Sequence, residues 1–326
     1  MERKSKKRKV LFAFVTLLVC LLIAGVLKIV FTKPKNGWDD SLSQSALGQI
    51  TYEGKRYRYN ENLTNILFIG IDNSAGIQDD NMPSDAGQAD CLMLLTLDKK
   101  KKEARILQIP RDTMTEIDIY NATGSKSSTV NAQIATQYAY CIGGKSSCFA
   151  TKQTVSELLY DLPIDAYLAM DYTSIASVND AIGGVEITVP KDYTMIDPAF
   201  VEGTTLTLKG KQAHDYVRWR DTNEHFSNND RMQRQVQYVP ALIDKIKSNM
   251  HTQENYYKVL YPLVEKYMLT NLTEERFKEL ADYELVTSDI QILPGEGKQG
   301  EIYDEFHVDE KKSQKMLIET FYILEE

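Results

Sequence analysis

Apolar and polar positions along this 326-residue chain follow different spacings in different stretches. Residues 10–31 form one continuous apolar run whose only charge is Lys28. At ~1.5 Å per residue a helix of that length covers about 33 Å, enough to cross a hydrocarbon core of roughly 30 Å. Lys28 sits near the far end and can snorkel to the interface. Residues 65–71, 91–97 and 104–109 are shorter apolar runs of strand length. The last two are separated by Asp98 and four lysines, which reads as a hairpin with a solvated turn. Beyond them helical spacing alternates with extended runs. Residues 130–138 and 151–159 predict helices, 166–170 a strand, 174–182 a helix and 185–189 a strand before Pro190. A strand over 204–208 leads into a helix over 211–218, and 230–247 predict a long amphipathic helix interrupted or bent near Pro240. Such alternation argues a layered α/β domain with helices on a central sheet.

The same pattern sets the expected boundaries. A basic tail at 1–9 precedes a transmembrane helix at 10–31. A polar stalk follows at 32–60, with one short strand around Tyr57, and the main domain occupies 61–250. Residues 251–326 read as a C-terminal α/β extension, with a strand over 286–293, that packs on the main domain or forms a small appendage.

Composition then narrows the class. With 43% hydrophobic and 26% charged residues the chain can build a large core, which excludes a disordered or low-complexity protein. A net charge of −8 argues against a general nucleic-acid binder. That average hides an asymmetry. Residues 1–9 hold six basic side chains and one acid, so residues 10–326 carry −13. Basic residues ahead of the apolar run place the N-terminus in the cytoplasm and the rest outside. A cleavable signal peptide would have a shorter apolar region and a small-residue cleavage site, which Leu22-Ile23-Ala24 matches poorly. A lipoprotein signal ending at Cys20 would need a small residue where Val19 stands. The run therefore reads as an uncleaved anchor.

Outside the cytosol a disulfide is plausible, and Cys141 and Cys148 flank a flexible Ile-Gly-Gly-Lys-Ser-Ser loop that could close one. The four histidines form no zinc-ligand pattern with the cysteines. Arginine is the sharper signal. Of nine arginines after the apolar run, six lie in three short motifs: Arg105 and Arg111, Arg218 and Arg220, Arg231 and Arg234. The guanidinium fork suits phosphate oxygens, and a diphosphate is the ligand that needs several forks at once. The competing reading pairs these arginines with surface acids. Asp72 ends one predicted strand and Asp90 begins another, so neighbouring strands would bring both carboxylates to one rim of the sheet. Two hard oxygen donors beside arginines suit Mg²⁺ shared with substrate phosphates. No Gly-x-Ser-x-Gly, phosphate loop or His-x-x-x-His is present, and His214 and Asp215, adjacent on a helix, make a poor dyad. Positioning, charge neutralisation and a metal would then carry the chemistry.

Six motifs occur together in this order: Asn65 to Asp72, Ala89-Asp90 and its apolar strand, Ile109-Pro110-Arg111-Asp112-Thr113, Ala181-Ile182-Gly183-Gly184-Val185, Leu208-Lys209-Gly210-Lys211-Gln212-Ala213 to Arg220, and Arg231 to Gln235. In that order, over about residues 63–247, the chain resembles LytR-CpsA-Psr proteins. The resemblance implies a three-layer α-β-α sandwich outside a bacterial membrane. It implies transfer of an anionic glycopolymer, such as teichoic acid or capsular polysaccharide, from a polyprenyl-diphosphate carrier to peptidoglycan through a phosphodiester link. Mg²⁺ (or Mn²⁺) would sit on Asp72 and Asp90. Arg111, Arg218, Arg220 and Arg231, with Gln235, would bind the diphosphate, and Arg111, Asp90, Arg218 and Arg220 would carry catalysis. The apolar elements would also have to form a groove for the prenyl chain. Two positions depart from the family pattern: Gln88 replaces an arginine and Asn228 replaces an acid, with Asp230 nearby. A polyprenyl-diphosphate hydrolase, with water as acceptor, and a non-catalytic lipid-carrier binding or signalling protein are the alternatives.

Overall fold

The computed structural model describes residues 43–44, 49–73, 86–287 and 290–325. The expected basic tail and membrane helix at 1–31, like the segment 74–85, lie outside the described residues. Among the described residues no helix is long and apolar enough to cross a membrane. Gln44–Glu326 forms one compact unit, and it is a mixed α/β fold.

The chain enters through a short antiparallel hairpin, β1 (Gln49–Tyr52) and β2 (Lys55–Tyr59). Three long strands follow: β3 (Leu63–Asp72), β4 (Gln88–Asp98) and β5 (Glu103–Ile109). They pair antiparallel in sequence, with Asp98 opposite Glu103, so the lysine-rich turn closes the expected hairpin. A two-stranded ribbon, β6 (Met114–Tyr120) with β7 (Lys126–Gln133), leads to helices α1 (Thr136–Ala139) and α2 (Gly144–Leu158). Strand β8 (Ala166–Asp171) returns parallel to β3. Helix α3 (Tyr172–Ala181), the pair β9 (Val185–Thr188) and β10 (Thr205–Leu208), helix α4 (Lys211–Arg218) and the 26-residue helix α5 (Ser227–Thr252) complete the central part. Pro240 lies inside α5 without interrupting it.

Residues beyond 251 do not form an appendage. After helix α6 (Tyr257–Tyr267), strand β11 (Met268–Thr270) pairs with β8. Helix α7 (Glu274–Glu279) then leads to β12 (Glu284–Leu285) and β13 (Gln291–Ile292), which both pair parallel with β5. The seven-stranded sheet thus runs β11-β8-β3-β4-β5-β12, with β13 also on β5. The expected single strand over 286–293 is replaced by these two short pieces. A hairpin, β14 (Gly295–Gln299) with β15 (Asp304–Val308), and helix α8 (Glu310–Phe321) end in β16 (Tyr322–Leu324). Strand β16 pairs antiparallel with β2, so residues 49–59 belong to the folded unit and not to a stalk.

The sheet is apolar on both faces because its side chains alternate. Ile66, Cys91, Met93 and Ile106 pack against Val236, Val239 and Ile243 of α5. The alternate set, Leu67, Ile69, Leu92 and Leu94, is fully buried. Each such aliphatic side chain contributes about 1.5–3 kcal/mol through burial. The helix expected over 130–138 is corrected to the end of β7 followed by the single turn α1. Val130, Ile134 and Tyr138 do have helical spacing, yet Val130 is exposed while the other two are buried.

The expected Cys141–Cys148 disulfide is not formed. Both residues are buried thiols. The Gly143-Gly144 turn starts α2, and Cys148 faces the interior from the helix while Cys141 precedes it. Burial raises the Cys141 thiol pKa.

Candidate functional site

Asp72 is the last residue of β3, and Asp90 lies near the start of β4, which runs the other way, so both acids reach the same rim. The ladder shifts register there. Gly70 faces Cys91 and Ile71 faces Ala89, leaving Asp90 as the extra residue of a β-bulge. A bulge re-aims a side chain and is common beside functional sites. Two glycines permit the close approach. A Cβ on Gly70 would stand 2.9 Å from the Cys91 Cβ, and one on Gly87, at φ +84°, would stand 2.7 Å from the Asp72 carbonyl oxygen.

Arginines converge on this rim from three elements. Arg111 follows Pro110, which has no N–H to extend the ladder of β5. Its Nη1 donates to Asp90 Oδ1 at 2.6 Å and its Nη2 to Gln88 Oε1 at 2.5 Å, while Nε lies 3.3 Å from Asp112 Oδ1. Arg231, near the N-terminal end of α5, donates from Nη1 to the other Asp90 oxygen at 2.6 Å. The Arg231 Nε and Nη2 groups donate to Asn228 Oδ1 at 3.1 and 2.7 Å, and Asn228 Nδ2 donates to Asp112 Oδ2 at 2.9 Å. The two departures from the family pattern therefore have definite roles. Gln88 holds Arg111, and Asn228 holds Arg231.

Arg218 closes α4, with its guanidinium 4.3 Å from the centroid of the Tyr172 ring and its Nη2 3.2 Å from Asp72 Oδ1. This pair is about 40% exposed on each side. Exposed pairs are worth at most about 1 kcal/mol, so Arg218 can exchange Asp72 for a stronger anion. Arg220 is half-buried. Burial lowers its pKa first, and the like charges of Arg231 and Arg111 lower it further, with Asp90 and Asp112 opposing. An arginine stays protonated regardless, so this crowding is a repulsion that a bound anion would relieve. These groups border a polar cleft of about 580 Å³ lined by Asp72, Asp90, Arg111, Arg218, Arg220 and Arg231.

An apolar cavity leaves the same rim. Asp72, Asp90, Arg218 and Arg231 form its mouth, and Phe68, Met170, Ile175 and Val217 its walls. It shares Phe68, Met170, Val239 and Leu242 with a deeper apolar cavity of about 140 Å³ between the sheet and α5. Cys91 lines the mouth, and burial pushes its thiol up to about 12, so it is not a nucleophile at neutral pH. Gln235 also lies at this neck and not in the polar cleft, and its Nε2 is already given to the Val217 carbonyl at 3.2 Å.

Five further residues singled out in the sequence lie outside the cleft. Arg105, at the far part of β5, pairs with Glu103 at 3.2 Å and is outside the cleft. Arg234 is fully buried, and Asp230 serves Arg234 and Lys191 instead of the cleft. His214 Nδ1 does meet Asp215 Oδ1 at 2.8 Å, contrary to the expected divergence, but neither residue lines the cleft.

Among the described residues no three His, Cys, Asp or Glu side chains cluster as a metal cage. Asp72 and Asp90 are two hard donors on one cleft, the partial set that Mg²⁺ takes when substrate phosphates supply the remaining oxygens.

Asp112 gives the rim a pH dependence. Burial raises its carboxyl pKa, and Arg111, Arg231 and Arg220 only partly offset this. The native state therefore holds this proton to higher pH than the unfolded chain does. Its contribution to stability falls as pH rises from the ordinary carboxylate range, near ~3.9, through the raised value. We expect Asp112→Asn to lose less stability than the wild type between pH 4 and pH 7. Urea unfolding at the two pH values measures this, and an equal loss in both proteins would refute it.

Comparison with other proteins fits this geometry. The LytR_cpsA_psr family profile matches residues 37–321. The polyisoprenyl-teichoic acid-peptidoglycan teichoic acid transferase TagV of Bacillus subtilis (strain 168) is 34% identical over 191 residues, 56% of this chain. That aligned region spans only 44% of TagV's length. The TagU transferase of Bacillus cereus (strain AH820) is 28% identical over 306 residues, 89% of each protein. The crystal structure of B. subtilis TagV superposes with a TM-score of 0.56 at 25% identity, covering 80% of this chain and 97% of that one. A structure of TagT bound to LI-WTA shares the fold, with a TM-score of 0.56 at 24% identity over 79% of this chain and 89% of that one. With the profile covering most of the chain, the protein belongs to the LytR_cpsA_psr family.

Proposed function

We propose that this protein is a membrane-anchored transferase that moves an anionic glycopolymer from a polyprenyl-diphosphate carrier to peptidoglycan, outside a bacterial cell. The observation that carries the reading is the junction of two cavities: a cleft ringed by four arginines opens directly onto an apolar channel. A polyprenyl diphosphate has the same two-part chemistry, a dianionic or more highly charged head on a hydrocarbon tail. The names of TagU and TagV, teichoic acid transferases, support the same substrate class. On this reading the unit is a three-layer α-β-α sandwich, and the apolar run at 10–31 anchors the protein in the membrane that holds the carrier.

Arg111, Arg218, Arg220 and Arg231 take the diphosphate oxygens. The acceptor hydroxyl oxygen attacks the phosphorus that carries the polymer, and its proton passes to water. The bond from that phosphorus to the bridging oxygen breaks, and polyprenyl phosphate leaves. Charge grows on the bridging and equatorial oxygens, where fixed guanidinium groups are most effective. Asp90, gripped by Arg111 and Arg231, fixes both forks before substrate arrives. Gln235 holds the Val217 backbone at the neck. Asp72 and Asp90, with diphosphate oxygens, would hold Mg²⁺ (or Mn²⁺), which supplies further charge neutralisation when bound.

A transfer assay with a polyprenyl-diphosphate-linked donor, run with and without glycan acceptor, tests the function. Product attached to the acceptor supports it, whereas donor cleavage indifferent to acceptor would favour a hydrolase. The channel has its own test. Val239 lies where the two apolar cavities meet, and each buried CH₂ is worth ~0.8 kcal/mol. We expect Val239→Trp to raise the KM of a long-chain donor at least tenfold. A short-chain soluble donor should be affected much less. Equal effects on both donors would argue against a prenyl channel.

A further inference from the structure

A second polar pocket, of about 330 Å³, opens beside the arginine cleft and shares no lining residue with the apolar channel. It shares Arg111, Arg220 and Thr222 with the cleft, so any occupant has one end at the reacting phosphate. Its far wall is the turn between β14 and β15, with Ile302 and Tyr303. We infer that this pocket is the subsite for the acceptor glycan, an inference that rests on the transferase reading above.

The pocket is a constructed one. Asp304 of the hairpin accepts from His225 Nδ1 at 2.8 Å and from the Phe226 backbone N–H at 2.6 Å, tying the loop before α5 to the C-terminal hairpin. Phe226 itself is held in the left-handed region at φ +57°. Gln133 donates to the Asp304 carbonyl at 2.8 Å and to Asp112 Oδ1 at 3.0 Å. The Phe226–Asp304 tie and the Phe306 N–H to Asp112 carbonyl bond, at 2.8 Å, keep hairpin and arginine motif in one frame.

The chemistry selects the ligand class. Asp112, Glu224 and Asp304 set three acids against Arg111 and Arg220, so the pocket disfavours a second phosphate. Its polar groups suit neutral hydroxyl and acetamido groups. On the rim Ile302 is 88% and Tyr303 43% exposed, an apolar ledge beside polar groups. A sugar ring presents the same combination: a C–H face to stack on an aromatic ring and an edge of hydroxyls.

The test uses the full chain in detergent, a polyprenyl-diphosphate-linked donor, and uncrosslinked peptidoglycan glycan fragments as the acceptor probe. Tyr303→Ala is expected to raise the acceptor KM at least tenfold while the donor KM stays within twofold. Tyr303→Phe, which keeps the stacking face, restores the acceptor KM. Because the side chain is on the surface, the melting temperature should not change. An unchanged acceptor KM in Tyr303→Ala combined with Ile302→Asp overturns the subsite, and so does an equal rise in donor KM. Saturation-transfer NMR with the same fragments separates this from failure of the transferase reading. Fragments bound by the wild type and lost in Tyr303→Ala support the subsite even where no transfer occurs, and fragments that do not bind overturn it.

Discussion

Arg111→Ala is expected to lower transfer by about 10²–10³-fold, the scale seen when one fixed donor to developing negative charge is removed. The fold should survive. Asp90, which loses the 2.6 Å contact to Arg111, keeps an equally short one to Arg231. Asp112 keeps the amides of Gln133 and Asn228. The stability cost should then be about 1–3 kcal/mol, that of polar groups left with fewer partners. Arg111→Lys restores the charge but not the fork that reaches Asp90, Gln88 and the cleft together, so it should recover little activity. Initial rates at saturating donor, with a thermal melt of each variant, measure both effects. Transfer within tenfold of wild type in Arg111→Ala would remove Arg111 from the mechanism. So would a variant that loses transfer only because it no longer melts cooperatively.

The strands and acids of the site were legible because their signals are local. Apolar runs of strand length, ended by Asp72 and begun near Asp90, define a rim without any knowledge of the fold. What local pattern could not supply was the bulge that re-aims Asp90, since a register shift belongs to a pair of strands and not to either one. The ribbon strand β7 failed for a related reason. Its residues are mostly exposed on both faces, so no period-2 alternation marks it, while Val130, Ile134 and Tyr138 imitate a helical face. The sheet positions of β11, β12 and β13 depend on pairings 98 to 184 residues distant, with β8 and β5. Tyr172 under Arg218, and Tyr303 on the second pocket, carry no motif. An aromatic ring next to a strand end is common, and only the fold brings it to a cation or a ledge. Arginine clustering did find the cleft, but it could not separate arginines that face a ligand from the one that holds them in place.

That one is Arg234, and its loss should be the most damaging to stability. It is wholly buried, yet every part of its fork is engaged. Nε donates to the Tyr216 carbonyl at 2.7 Å, Nη1 to Asp230 Oδ2 at 2.9 Å, and Nη2 to the Trp219 carbonyl. The guanidinium also lies 4.8 Å from the Tyr193 ring centroid. Its two carbonyl partners bracket Val217 and Arg218 and lead directly into Arg220. Arg234 is thus the fastening that sets the cleft arginines at the end of α4. Removing one partner of a buried, hydrogen-bonded pair costs about 3–5 kcal/mol. At roughly 2–4 °C per kcal/mol for a domain of this size, Arg234→Met should lower the melting temperature by about 6–20 °C. Below that temperature the folded variant should also bind donor diphosphate more weakly, because the Trp219 segment is no longer fixed. Arg231→Met should weaken donor binding more strongly, because Arg231 lines the cleft and Arg234 does not. Its own fork is held by Asp90 and Asn228, so its loss also costs stability. Calorimetry beside donor-binding titrations on the two variants distinguishes fastening from ligand contact. Donor binding weakened equally in both would place Arg234 among the ligand-facing arginines instead.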